Sequence, residues 1–216
     1  MKKYSVTAKS LKEQSYNVIK EAIIRGVLSD NEALTEKKAK ELFGISRTPF
    51  REAIQRLEAE EWLISIPYKG TYVNPLTMQD VEDILQIRLI IEIAMAKKAA
   101  ENITNEQIDI LQNLMGKMKS VSSEQSDYEF TLIDQEFHKT INQFGNNKRL
   151  VSMSEHLYDL IRRIAMTVLK SPIRRKEVIE EHLKIIEGLR TNNVEKTLLH
   201  HYDRVRFEAD KYFSSL

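Results

Sequence analysis

Between Thr35 and Glu58 two helical patterns are separated by only the residues Gly44-Ile45-Ser46, and that spacing leaves the chain few ways to fold. Thr35 is a good N-cap for a short helix over Glu36 to Phe43. Glycine at position 44 permits the left-handed conformation in which helices commonly end. Ser46 can cap the next helix, and Pro49 suits its first turn, where a missing N–H costs nothing. Phe50, Ala53, Ile54 and Leu57 recur at helical spacing and predict its buried face. Arg47, Thr48 and Arg51 project from the opposite side, at the N-terminal end. Two helices joined by so tight a turn form a helix-turn-helix, and that end of the second helix is where base edges are met.

The flanks extend the pattern. Leu11 to Arg25, with Leu11, Tyr16, Ile19, Ile23 and Ile24 on one face, predicts a preceding helix. Trp62-Leu63-Ile64-Ser65-Ile66 and Thr71-Tyr72-Val73 are β-prone and joined by Pro67-Tyr68-Lys69-Gly70, a hairpin with a basic tip that makes a wing. Tyr68 there either packs on Trp62 or meets a sugar. The phrases Ala22-Ile23-Ile24-Arg25-Gly26-Val27-Leu28, Ser46-Arg47-Thr48-Pro49-Phe50-Arg51-Glu52-Ala53 and Leu57-Glu58-Ala59-Glu60 carry a resemblance. Residues 11–75 resemble the DNA-binding domain of the GntR family of bacterial transcription regulators. The family usually has Pro-Gly where Asp30-Asn31 stands and Gly where Glu61 stands; both departures fall at turns. The resemblance implies that Arg47, Thr48, Pro49 and Arg51 meet DNA from the recognition helix, and that Lys69 and Gly70 enter the minor groove.

Pro75-Leu76-Thr77 marks a boundary, giving a winged helix over 1–75, a linker over 76–78 and a second domain over 79–216. The second part reads as wholly helical. Pro172 is its one proline after the boundary, and Gly116, Gly145 and Gly188 are well separated. Helices are expected over 78–101, 104–120, 124–144, 148–169, 173–190 and 194–214, so the fold class is mostly α, with an antiparallel bundle of about six helices. Met78 to Glu101 is apolar almost all round, as in a helix buried centrally or shared with a partner. Met78, Met95, Met115, Met118, Met153 and Met166 read as core. Lys97-Lys98, Arg162-Arg163 and Arg174-Arg175-Lys176 read as solvated faces or ends, with Arg162 or Arg163 able to reach a central cavity. His156 reads as a packing or surface residue.

Charge separates along the same boundary: residues 1–74 hold 13 Lys+Arg against 10 Asp+Glu, and residues 75–216 hold 20 against 22. The basic excess accompanies the helix-turn-helix, but it is small, so DNA affinity must rest on a few placed arginines and on pairing of two copies. The absence of cysteine excludes disulfides and thiolate metal sites. No run approaches the ~18 apolar residues of a membrane span, and Met1-Lys2-Lys3-Tyr4 leads into no signal core. A cytoplasmic protein with no membrane partner is expected.

Asp134-Gln135-Glu136-Phe137-His138-Lys139-Thr140-Ile141, Gly145-Asn146-Asn147-Lys148-Arg149-Leu150 and Glu181-His182-Leu183-Lys184-Ile185-Ile186 are similar to the FCD effector domain of the FadR-like subfamily. Arg88 and Glu92 fit its pattern too. The resemblance implies a homodimer with a central cavity for a small carboxylic acid effector, which Arg88 would help to bind. Asp134 and His138 share a helix face, and His182 on another helix completes a set suited to a divalent metal, zinc or nickel. FCD domains of this type commonly hold a metal through one Asp and three His. The fourth position falls on Arg204, or, after a slip of alignment, on His200 or His201. An arginine cannot ligate a metal but grips carboxylates bidentately, so Arg204 would replace the ion and bind the effector directly. Otherwise Asp134 and His138 form only a helix-surface pair. The expected function is a ligand-responsive regulator, a repressor more than an activator, binding a pseudo-palindromic double-stranded DNA operator as a homodimer. The alternatives are a metal-dependent hydrolase using Asp134, His138 and His182, and an architectural DNA-binding protein without a ligand.

Overall fold

The computed structural model describes residues 11–123, 127–155 and 157–215. The chain divides into two compact units, Met1–Leu76 and Thr77–Leu216.

The first unit runs α1 (Leu11–Ile24), α2 (Glu36–Phe43), α3 (Arg47–Ala59), β1 (Leu63–Ile66) and β2 (Gly70–Val73). Helix α1 packs on α3 and buries Tyr16, Ile19 and Ile23. Phe50, Ala53, Ile54 and Leu57 complete that core from α3. Leu11 is exposed and takes no part in it. Thr35 caps α2 by accepting from the Lys38 N–H at 3.2 Å. Gly44 ends α2 at φ 68°, with its N–H bonded to the Lys40 carbonyl. Ser46 has the extended backbone of an N-cap but makes no side-chain capping bond, so Pro49 and the Gly44 turn position the start of α3 without it. Strands β1 and β2 pair antiparallel from Leu63↔Val73 to Ile66↔Gly70, and Ala33 bridges to Tyr72.

The second unit is helical throughout: α4 (Met78–Ala100), α5 (Asn105–Ser123), α6 (Asp127–Phe144), α7 (Lys148–Glu155), α8 (Tyr158–Val168), α9 (Pro172–Arg190) and α10 (Val194–Phe213). Thr77 and Asp80 form a reciprocal capping box at the start of α4. Thr104 and Gln107 do the same for α5 through bonds of 3.2 and 3.0 Å. Helix α4 is central, against α6, α9 and α10, while α5 packs on α6 and α9. Its outer face still leaves Ile87 and Ile90 exposed, Ile90 at 65%. Gly145 ends α6 against α4 so closely that a Cβ would lie 2.5 Å from the Met95 carbonyl oxygen.

Three expectations are corrected here. The helix expected over 148–169 is two: α7 packs on α4 and α6, and α8 packs on those two and on α10 as well. Between them the Leu157 N–H bonds to the Ser154 carbonyl in a turn. His156, and the start of the helix expected at 124, lie outside the described residues. Arg174 and Arg175 are buried rather than solvated, because Glu181 and Asp127 neutralise them. Met153 is 58% exposed, while Met95, Met115 and Met118 are core.

Candidate nucleic-acid interface and candidate metal centre

Burial of the Phe50, Ala53, Ile54 and Leu57 stripe turns Arg47, Thr48 and Arg51 out to solvent, with Pro49 half-buried beneath them. Arg47 is 74% exposed, and its Nε lies 3.3 Å from Glu36 Oε1 at the first residue of α2. That contact leaves the terminal Nη pair, the fork that matches a guanine edge or a phosphate, out of the bond. Lys69 and Gly70 lie exposed at the hairpin turn, where the Lys69 N–H bonds back to Ile66 O at 3.0 Å. Tyr68 is fully exposed at φ 64° and does not pack on the buried Trp62.

In the helical unit, α6 brings Asp134 and His138 to one face, α9 brings His182, and α10 brings His201. His138 Nε2 and His182 Nε2 are 3.2 Å apart, and Asp134 Oδ1 is 3.4 Å from His182 Nε2. The three imidazoles offer ligand atoms within 4.8 Å of one another, all buried. A tetrahedral ion with bonds of about 2.1 Å needs its ligands roughly 3 to 3.5 Å apart. The His138–His182 and Asp134–His182 spacings lie in that range, and the donor set, three His and one Asp, is of the oxygen and imidazole kind that zinc and nickel take.

The histidines on α6 and α10 are oriented from behind. His138 Nδ1 lies 2.8 Å from Glu92 Oε2, and His201 Nδ1 lies 2.7 Å from Glu181 Oε2. An ionised carboxylate only accepts, so both rings carry their proton on Nδ1 and present a bare Nε2. Burial works against ionisation of Glu92, but Arg88, at 2.8 Å, and His138 outweigh it and hold its pKa well below the usual carboxylate range. Burial likewise opposes Glu181, yet His201 and Arg174 bring it down to about 2. Arg174 holds Glu181 with both terminal nitrogens, at 2.5 and 2.9 Å. Burial depresses the pKa of all three histidines, that of His182 furthest because His138 and His201 flank it. Asp134 is raised by burial, against the pull of Arg88 and His201. With Arg88 matched to Glu92 and Arg174 to Glu181, an ionised Asp134 is the cluster's one uncompensated charge.

Arg204 does not reach this centre. It is half-buried, 2.9 Å from Glu177, 3.6 Å from Glu208 and 4.0 Å from Glu181, on the outer side of that carboxylate. His200 is exposed. The stripe Leu198, His201, Tyr202, Val205 and Ala209 is the buried face of α10, and it alone distinguishes His201 from its neighbours. That periodicity is readable in the sequence and turns His201, rather than His200 or Arg204, towards His138 and His182. Next to the cluster is a cavity of ≈ 20 Å³ lined by Arg88, Asp134 and His201 at one end and by apolar side chains elsewhere, among them Leu85 and Val178. Neither Arg162, paired with Asp159 at 2.8 Å, nor Arg163 lines it. Among the described residues no helix is long and apolar enough to cross a membrane.

Residues 11–73 match the family of bacterial regulatory proteins called gntR, and residues 83–201 match the FCD domain. The chain is 28% identical to the uncharacterized HTH-type transcriptional regulator YdhC of Bacillus subtilis over 188 residues, 87% of this chain and 84% of that one. It is 29% identical to the HTH-type transcriptional repressor RspR of Escherichia coli over 198 residues, 89% of this chain and 86% of the other. Its fold is that of Escherichia coli McbR/YncC, with a TM-score of 0.73 over 96% of this chain and 99% of that one at 22% identity.

Proposed function

The chain belongs to the GntR family of bacterial regulatory proteins, with an FCD domain as its second unit, and from that premise we propose that it is a cytoplasmic, metal-dependent repressor responsive to a small carboxylate. It is a DNA-binding transcription regulator and not an enzyme, so the hydrolase alternative falls with the family. Two copies would present two α3 helices to the half-sites of a pseudo-palindromic operator, about one helical turn apart. Arg47, Thr48 and Arg51 read and anchor the major groove over Pro49, and Lys69 and Gly70 of the wing enter the minor groove. Exposure of the apolar Ile87 and Ile90 on the solvent face of α4 supports a homodimer joined through that helix.

The observation that carries the effector reading is the convergence of Asp134, His138, His182 and His201 in a buried centre backed by two ionised carboxylates. Those four residues would hold a divalent ion, zinc or nickel, which when bound supplies the positive charge that an effector carboxylate meets. Charge decides between this reading and direct capture by an arginine. An ionised Asp134 would leave the metal-free cluster negative, and Arg88 is already matched by Glu92. An acid entering such a site is repelled, and Arg204 is spent on Glu177 outside it. Binding of the acid then shifts the dimer between DNA-competent and incompetent arrangements to the extent that it prefers one of them.

Elemental analysis of untagged protein, before and after chelation, with operator binding followed in parallel, tests this. Stoichiometric zinc or nickel and an acid response lost on chelation are expected. A metal-free protein that still answers a small acid would overturn the metal reading. Full operator binding with no response to any acid would favour the architectural alternative.

A further inference from the structure

The wall of the cavity is apolar on every side but one. Helix α8 contributes Ile161, Ile164, Ala165 and Val168, and Val205 of α10 closes the space beside His201. The polar groups, Arg88, Asp134 and His201, stand together at one end. No serine, threonine, asparagine, glutamine or tyrosine side chain lines the rest. A ligand here meets charge at its head and hydrocarbon along its body.

From that lining we propose that the effector is a short aliphatic monocarboxylate of about two to four carbons, and that a polyhydroxylated sugar acid is rejected. The inference rests on the reading that the bundle takes a small carboxylate, and it names the class. Two arguments support it. The first is chemical. Every hydroxyl of a sugar acid that leaves water for this wall loses its hydrogen bonds, and each such loss costs about 1–3 kcal/mol, or roughly five- to 150-fold in affinity. A methyl or methylene against the same wall gains about fourfold. The second is spatial. As it stands a cavity of ≈ 20 Å³ holds about one water, so side chains must move to admit any acid, and a short chain asks least of them. Arg88, which lines the cavity, gives Glu92 its Nε, and that bond leaves its terminal nitrogens for a head group. The tail then points along α8 towards Ala165.

The test titrates the full chain, as purified with its metal, with sodium acetate, propionate, butyrate and gluconate, followed calorimetrically and by operator binding. Affinity is expected to rise about fourfold per added methylene from acetate to butyrate, with gluconate at least 100-fold weaker than butyrate. Gluconate binding as tightly as butyrate would overturn the class and leave the carboxylate reading standing. Failure of all four to bind would overturn both. A pair of variants in the wall separates an apolar pocket from nonspecific anion binding. Ala165→Val should lower butyrate affinity at least tenfold and leave acetate within about threefold; Val168→Ala, which cannot overpack, should raise the affinity for the five-carbon acid valerate relative to butyrate. Unchanged chain-length preference in whichever variant melts like the parent would overturn the placement of the tail.

Discussion

Glu181 Oε2 lies 2.7 Å from His201 Nδ1, while the two terminal nitrogens of Arg174 hold the same carboxylate from behind. Arginine keeps Glu181 ionised, Glu181 keeps the His201 proton on Nδ1, and Nε2 is left as the donor facing His138 and His182. Outer carboxylates of this kind contribute about ten- to 100-fold to metal affinity. Glu181→Gln should weaken zinc binding by that amount in chelator competition, with helicity retained. His201→Ala should abolish stoichiometric metal, whereas His200→Ala and Arg204→Ala should leave it intact. Metal retention by His201→Ala would show that the fourth ligand lies elsewhere.

Arg51 is exposed on α3 and shares none of the packing of that helix. Arg51→Ala should leave the melting temperature within a degree or two, while operator affinity falls by about 1–3 kcal/mol if the contact is to a base. A phosphate contact would instead lower the salt dependence of binding by about one ion. Glu36→Gln frees Arg47 from its partner, and operator binding should become less selective without becoming weaker. Competition between operator and random duplex measures both.

Glu61 adopts φ 61°, a left-handed conformation that costs a residue with a Cβ roughly 1 kcal/mol. Glu61→Gly should therefore raise the denaturation midpoint of the winged helix, offset in part by the greater freedom of glycine in the unfolded chain. Asn31, at the same φ, should respond less to glycine because asparagine tolerates this region. A destabilised Glu61→Gly protein would contradict the assignment of strain.

Glu60 accepts hydrogen bonds from Tyr16 and, at 3.0 Å, from Arg56 Nε. Burial alone would raise its pKa, but these bonds outweigh it and bring the value below 4.5. A carboxylate whose folded pKa is depressed contributes stability above its unfolded value that is lost as pH falls through the folded one. The α1–α3 packing should weaken below about pH 4.5, by no more than about 1 kcal/mol for a pair so open to solvent. Glu60→Gln should flatten that limb of the stability profile.

The elements of this chain were legible wherever a local rule sets them. Thr35 and Gly44 bound α2, Thr77 opens α4, and the Phe50-to-Leu57 stripe orients α3, because caps and periodicity act within one turn of helix. The break between α7 and α8 was not legible, since the sequence continues at helical spacing, and the turn at Leu157 shows only in the folded bundle, where α8 packs on α10 as well as on the α4 and α6 that α7 also meets. Arg174 and Arg175 look solvated for the same reason. Their partners, Glu181 and Asp127, become neighbours only in the folded bundle. At the candidate metal centre Asp134, His138 and His182 stood out by motif. The rotation of α10 that turns His201 inward and Arg204 outward follows from the stripe through Leu198 and Val205, a signal present in the sequence but weaker than the motif beside it.

Helix α8 is short, flanked by Leu157 and Leu169, and it supplies half of the cavity's apolar lining residues. The helices carrying the histidines and Asp134 are longer and interlocked. Gly145 of α6 leaves no room for a side chain against Met95 of α4, and Gly188 of α9 leaves none against Val194 of α10. On the proposed reading, bulk added to the cavity would press α8 against helices that Gly145 and Gly188 hold close together. The length of a bound acid would then be read as a distance moved by α8, and the bundle would measure its ligand as a ruler does, with the zero mark at the histidines.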